Sequence, residues 1–118
     1  MNDPRKHLPL SVPVYQILLS LVGKDIHGYA IIQDIRERTS DEVSLTASTL
    51  YAAIKRLLDA GLIAELHDRP ADDPDPRRRY YRITPLGRDV ARAEAERLER
   101  DVAMARDKRL LPSAPSRS

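Results

Sequence analysis

A chain of 118 residues carrying 20 Lys and Arg against 18 Asp and Glu, for a formal net charge of +2, has room for one packed domain and little beyond it. The absence of Cys excludes disulfides, thiolate metal centres and cysteine nucleophiles together, and fits a reducing cytoplasm. With no Trp or Phe and only five Tyr, the core must be built from Leu, Ile, Val and Ala, and a polyanionic partner must be met by the placement of charge rather than its total.

In chain order, residues 1–9 are polar and read as a disordered end, as do the Pro/Ser-rich residues 111–118. An apolar-rich run opens at Leu8 and closes at Gly23. It is shorter than the ~20 residues of a bilayer span. No A-x-A cleavage pattern follows it, so a helix is expected there rather than a leader or anchor. Ser11 caps that helix, Pro13 lies in its first turn, and Val14, Ile17, Leu18 and Leu21 make its inner stripe. A second helix spans about 28–38, with Ile31, Ile32 and Ile35 inward and Gln33, Asp34, Arg36 and Glu37 outward. The third, 47–60, has Thr46 as N-cap, Gly61 just past its end, and Leu50, Ile54, Leu57 and Leu58 as its buried stripe.

Residues 62–67 then read as a strand with Leu62, Ala64 and Leu66 on one face. The Pro-rich "DRPADDPDP" is a loop, and 78–84 is a second strand with Tyr81 and Ile83 on one face and Tyr80 and Arg82 on the other. Thr84 and Pro85 open a last helix that runs to about Leu110. Along it Ala91, Ala95, Leu98, Val102 and Ala105 recur at alternating steps of four and three, the seam of a helix pair. The expected fold is mainly α with a small β-hairpin: a winged helix-turn-helix over 10–84, followed by a long C-terminal dimerisation helix over 85–110. So long a helix on so small a domain has little of its own to bury its stripe against.

The outward face of the third helix carries Ser48, Thr49, Ala52, Lys55, Arg56 and Asp59, flanked by Tyr51. Small hydroxyls let a helix approach the base edges of a major groove, and cations along it meet the groove walls. The arginines of the arm, Arg77, Arg78 and Arg79, with Arg82 beyond, suit a narrow groove and its phosphates, whereas Asp72, Asp73 and Asp75 at the tip repel them. The base of the arm is therefore expected to face the duplex and its tip to point away. His7, His27 and His67 lie on separate elements without metal-ligand spacing, the Asp cluster lacks the Gly and terminal Glu of a calcium loop, and no nucleophile elbow or glycine-rich phosphate loop occurs. Neither an enzyme, a metal nor a cofactor is expected.

The blocks "HGYAIIQDI" (27–35), "LTASTLYAAIKRLLDAGLI" (45–63) and "RRRYYRITPLGR" (77–88), in this order, resemble the PadR family of transcriptional regulators over roughly residues 10–110, and specifically its compact branch with a single C-terminal helix. The resemblance implies a cytoplasmic homodimer on double-stranded DNA, with recognition helix 47–60, wing 62–84, and the 85–110 helix pairing subunits together with the first helix. It implies repression of a nearby gene, relieved by a small molecule. Carried over by position, Thr46, Thr49 and Tyr51, Tyr29 of the His-Gly-Tyr block, and Arg77, Arg78 and Arg79 face the DNA; the outward face of the third helix adds Ser48, Lys55 and Arg56. Two positions depart from the family's pattern, Ser48 where Gly is common and Ala52 where Pro is common. The Trp with which some compact relatives sandwich flat ligands is absent. The alternative function is a winged-helix module that binds protein and not DNA.

Overall fold

The structure, a computed structural model, describes residues 3–67, 73, 75 and 77–113. Most of the expected C-terminal tail and much of the arm's loop, Asp72 included, lie outside these residues. Four α-helices each begin at a side chain that accepts one of the N-terminal amides the helix leaves unpaired. Ser11 Oγ accepts from Val14 N at 3.3 Å to open α1, Val12–Leu21. His27 Nδ1 accepts from Ala30 N at 3.2 Å to open α2, Gly28–Arg38. Thr46 Oγ1 accepts from Thr49 N at 3.1 Å for α3, Ala47–Asp59. Thr84 Oγ1 accepts from Gly87 N at 3.0 Å for α4, Pro85–Asp107, with Pro85 at the first helical position.

The apolar stripes converge as their periodicity requires. Ile17, Leu18 and Leu21 of α1 meet Ile31 and Ile35 of α2 and Leu50, Ala53, Ile54 and Leu57 of α3, while Val90 and Ala91 close the core from α4. An Arg38 clamp fixes α2 against α1. Its guanidinium donates to the Gln16 side-chain and backbone oxygens at 2.9 and 3.1 Å, to Ser20 Oγ at 2.8 Å and to Asp34 at 2.8 Å.

The two expected strands pair as a hairpin, β2 (Ile63–Glu65) against β3 (Tyr80–Ile83), with Glu65 opposite Tyr81. A third strand, β1 (Ile26–His27), adds to the other side of β3 and gives the antiparallel order β1-β3-β2. Two residues are too few for an alternation to register in a sequence, so this strand was not foreseen. The inner face of the first arm strand also differs from expectation. Ile63 is buried whereas Ala64 and Glu65 are exposed. Gly61, at φ +75°, turns the chain out of α3, and Leu62 is buried before the strand begins. On β3 the expected alternation holds, with Tyr81 buried and Arg82 exposed.

Helix, sheet and last helix lock together at one point. Leu62 O accepts from Thr84 N at 3.1 Å, and the Thr84 hydroxyl donates to Gly61 O at 2.6 Å. A Cβ added at Gly87 would lie 1.9 Å from Leu62 O, so the start of α4 packs there only because Gly87 has no side chain.

Residues 4–7, expected to be part of a disordered end, form a 3-10 turn, Pro4–His7, that packs against α4. Nearby, Leu10 N donates to Glu94 Oε2 at 2.8 Å. Glu94 is only 2% exposed, and its ion pair with Arg97 holds its carboxyl below the usual range in spite of burial. This anchor links residues 84 positions apart, which no local pattern reveals.

Candidate nucleic-acid interface

Three pieces of surface meet on one side of the domain: the outer face of α3, the start of α2 and the base of the wing. A hollow of about 340 Å³ joins them, lined by His27, Gly28, Tyr29, Tyr51, Asp75, Arg77 and Arg78. The α3 face stands between two further hollows. One, of about 240 Å³, runs along the start of α1 past Ser48, Thr49 and Arg56; the other, of about 300 Å³, runs along the sheet past Tyr51, Lys55 and Arg79. The helix is thereby left as a ridge with clearance on both sides.

Ser48, Thr49, Lys55 and Arg56 are all exposed on this ridge. Thr46, also exposed, accepts from Thr49 N, and its hydroxyl shares a hydrogen bond with that of Thr49 at 3.0 Å. The two hydroxyls therefore form one linked, exposed pair at the start of α3. Lys55 and Arg56 have no ion-pair partner among the described residues. Tyr51 is 51% exposed and lays its ring over the start of α2, where a Cβ at Gly28 would meet its hydroxyl at 2.7 Å. Gly28 therefore sets where the Tyr51 hydroxyl sits, a dependence the sequence pattern does not disclose. Tyr29, 60% exposed, stands beside it.

The wing base is less open than its arginines imply. Arg77 pairs with Asp75 at 3.4 Å, Arg78 with Asp73 at 3.4 Å, and Arg79 with Glu65 at 3.8 Å. Arg78 is half-buried, and the Asp73 side chain is fully so. Arg82 belongs to the fold, its guanidinium gripping Asp25 at 2.7 and 3.1 Å beside β1. The carboxylates expected at a remote tip thus reach back to the arginines at the base.

His27, read from sequence only as a poor metal ligand, turns out to be the cap of α2 and a support for the wing, its ring edge-on to Tyr80 at 5.4 Å between centroids. A cap that accepts through Nδ1 must be neutral there, with the proton on Nε2. Burial, reinforced by the Arg78 charge, pushes its pKa down and so favours that form. Hydrogen bonding to Asp73 pushes the Tyr80 phenol up.

The proposed pairing residues fall into two groups. Ala91 is 6% exposed and belongs to the core of its own chain, whereas Ala95, Leu98 and Val102 are exposed and Ala105 is half-buried. Among the described residues no cluster of three or more His, Asp or Glu is placed to hold a metal ion, and no helix is long and apolar enough to cross a membrane.

Residues 17–93 match the transcriptional regulator PadR-like family. A PadR family transcription regulator from Clostridium difficile R20291 superposes with a TM-score of 0.71 at 27% identity, over 82% of this chain and 97% of that one. A transcriptional regulator from Clostridium thermocellum superposes with a TM-score of 0.68 at 30% identity, over 80% and 87%. An uncharacterized protein of Lysinibacillus sphaericus is 38% identical over 72 residues, 61% of this chain; the match spans 64% of that relative's length. The chain belongs to the PadR-like family: it is a transcriptional regulator with a winged helix, and not an enzyme.

Proposed function

We propose that this regulator is a repressor that binds double-stranded DNA as a homodimer, each subunit setting α3 into a major groove and the base of its wing against the adjacent backbone. The observation that carries this reading is the far half of α4. Its last buried residue is Glu94, yet the helix continues to Asp107, roughly 20 Å further, with Leu98 36%, Val102 38% and Met104 54% exposed. An apolar stripe of that length on a small domain calls for a partner, and a second copy supplies an identical stripe. Two α3 ridges related by a two-fold axis then read an inverted repeat, with half-sites about 34 Å apart.

The test is paired. Sedimentation should give a dimer for the native chain and a monomer for L98E/V102E, and only the native chain should retain its own upstream DNA in gel shifts. A monomeric native chain, or no retention at low salt, would overturn the proposal. Relief by a small molecule would act at the apolar hollow of about 190 Å³ between α1 and α4, lined by Leu19, Val22, Arg88, Ala91, Arg92 and Ala95, beside the proposed seam. Without a Trp, flat ligands have no indole to stack on.

One observation favours the second reading, a module that binds protein: each wing arginine already holds a carboxylate, which lowers the pull of the wing on phosphate. A native dimer that retains no DNA at low salt would select it.

A further inference from the structure

Charge-assisted pairs at full strength close to about 2.7–2.9 Å, and a pair held at longer range yields its cation to a competing anion more readily. By that measure the wing contains two kinds of arginine. Arg82 grips Asp25 through two bonds, the shorter 2.7 Å, and ties β3 to the chain before β1. Arg77 Nε and Arg78 Nη1 stand 3.4 Å from the carboxylates of Asp75 and Asp73. Backbone amides help hold the carboxylates in place: Asp75 Oδ1 accepts from Arg77 N at 2.9 Å, and Asp73 Oδ1 from Asp75 N at 2.9 Å. Asp75, Arg77 and Arg78 line the hollow that also receives Tyr29, Tyr51 and the start of α2. An anion placed among two guanidinium groups and two phenols is what a backbone phosphate of a docked duplex would be.

We propose that Asp73 and Asp75 act as the chain's own substitutes for phosphate. They hold Arg78 and Arg77 in the unbound protein and yield them to the DNA backbone on binding, so the wing carries a built-in brake on affinity that is independent of base sequence. This rests on the reading that the wing base faces DNA. The exchange replaces one anion by another at each guanidinium, and it discharges the brake only where a duplex presents phosphates at the spacing of the hollow. Asn at either position keeps the Oδ1 acceptor for the backbone amide, removes the charge and turns the second oxygen into an N–H donor.

The test measures binding of the full chain to a random-sequence duplex across a salt series, for D75N, D73N/D75N, D25N and R77A/R78A, each checked by thermal melting. D73N/D75N should tighten binding about tenfold and steepen the slope of log K against log salt by about one to two, the share of one to two phosphates. D75N alone should show part of this, and either gain should vanish in the R77A/R78A background. D25N should leave affinity unchanged, because the Arg82 pair does not exchange. Equal tightening by D25N would mean bulk charge and overturn the proposal, as would unchanged affinity in folded D75N and D73N/D75N while R77A/R78A still weakens binding. If R77A/R78A binds like the native chain, the wing reading itself fails and the brake with it.

Discussion

The α3 ridge and the wing base both present cations to the same side of the molecule, but they hold them differently. Lys55 and Arg56 stand on a helix whose other outward positions are Ser48, Thr49, Ala52 and Asp59, and among the described residues neither has an ion-pair partner. Arg77, Arg78 and Arg79 stand at the foot of a hairpin, Arg77 and Arg78 beside Asp75 and Asp73 on their own stretch of chain and Arg79 across the hairpin from Glu65. Helix α3 leaves its cations without an ion-pair partner among the described residues, whereas the wing sets a carboxylate beside each of its arginines. A count of basic residues therefore overstates the wing and understates the helix.

The sharpest way to break this comparison is to remove the support both regions share. Gly87→Ala forces a Cβ into the Leu62 carbonyl between α3, β2 and α4, and should destabilise the fold by about 3 kcal/mol in chemical denaturation. A variant as stable as the native chain would mean the junction can open without cost. Next in size, K55A/R56A should lower duplex affinity about thirtyfold and R77A/R78A about threefold, since the helix cations are available from the start. Equal losses in filter-binding measurements would erase the distinction between the two regions.

Gly28→Ala is milder. Its Cβ meets the mobile end of Tyr51, so melting should change little while affinity falls a fewfold as the hydroxyl is displaced. Unaltered affinity would remove Tyr51 from the interface. The smallest effect concerns His27. Its folded-state pKa is lowered, so the unfolded chain takes up the proton first. The contribution to stability is complete above about pH 6.5 and is lost as pH falls below that value toward the lower folded pKa. His27→Asn keeps a cap without a proton to gain, and should flatten the decline in melting temperature between about pH 7.5 and 5.5. A decline as steep as in the native chain would place the titrating group elsewhere.

Much of the fold was legible in the sequence because it rests on local signals. Thr46, Ser11 and Thr84 announce helix starts, the three-and-four spacing of Ile17, Leu18, Leu21 and of Leu50, Ile54, Leu57 marks buried stripes, and Gly61 marks the exit from α3. The exposure of Ser48, Thr49, Lys55 and Arg56 follows from those stripes by subtraction. The burial of Ala91 in its own core, the burial of Ile63 in place of Ala64, and the 3-10 turn against α4 did not follow, because each depends on a neighbour distant in sequence.

The same division holds for function. The amino-acid sequence by itself determined which side chains each helix turns outward, because helical periodicity is a property of consecutive residues. Only the tertiary structure decided which of those charges are engaged. The partners Glu65, Asp25 and Glu94 meet Arg79, Arg82 and Leu10 across gaps in the chain that folding alone closes. An ion pair is a matter of ångströms, and distance through space is not written in residue order.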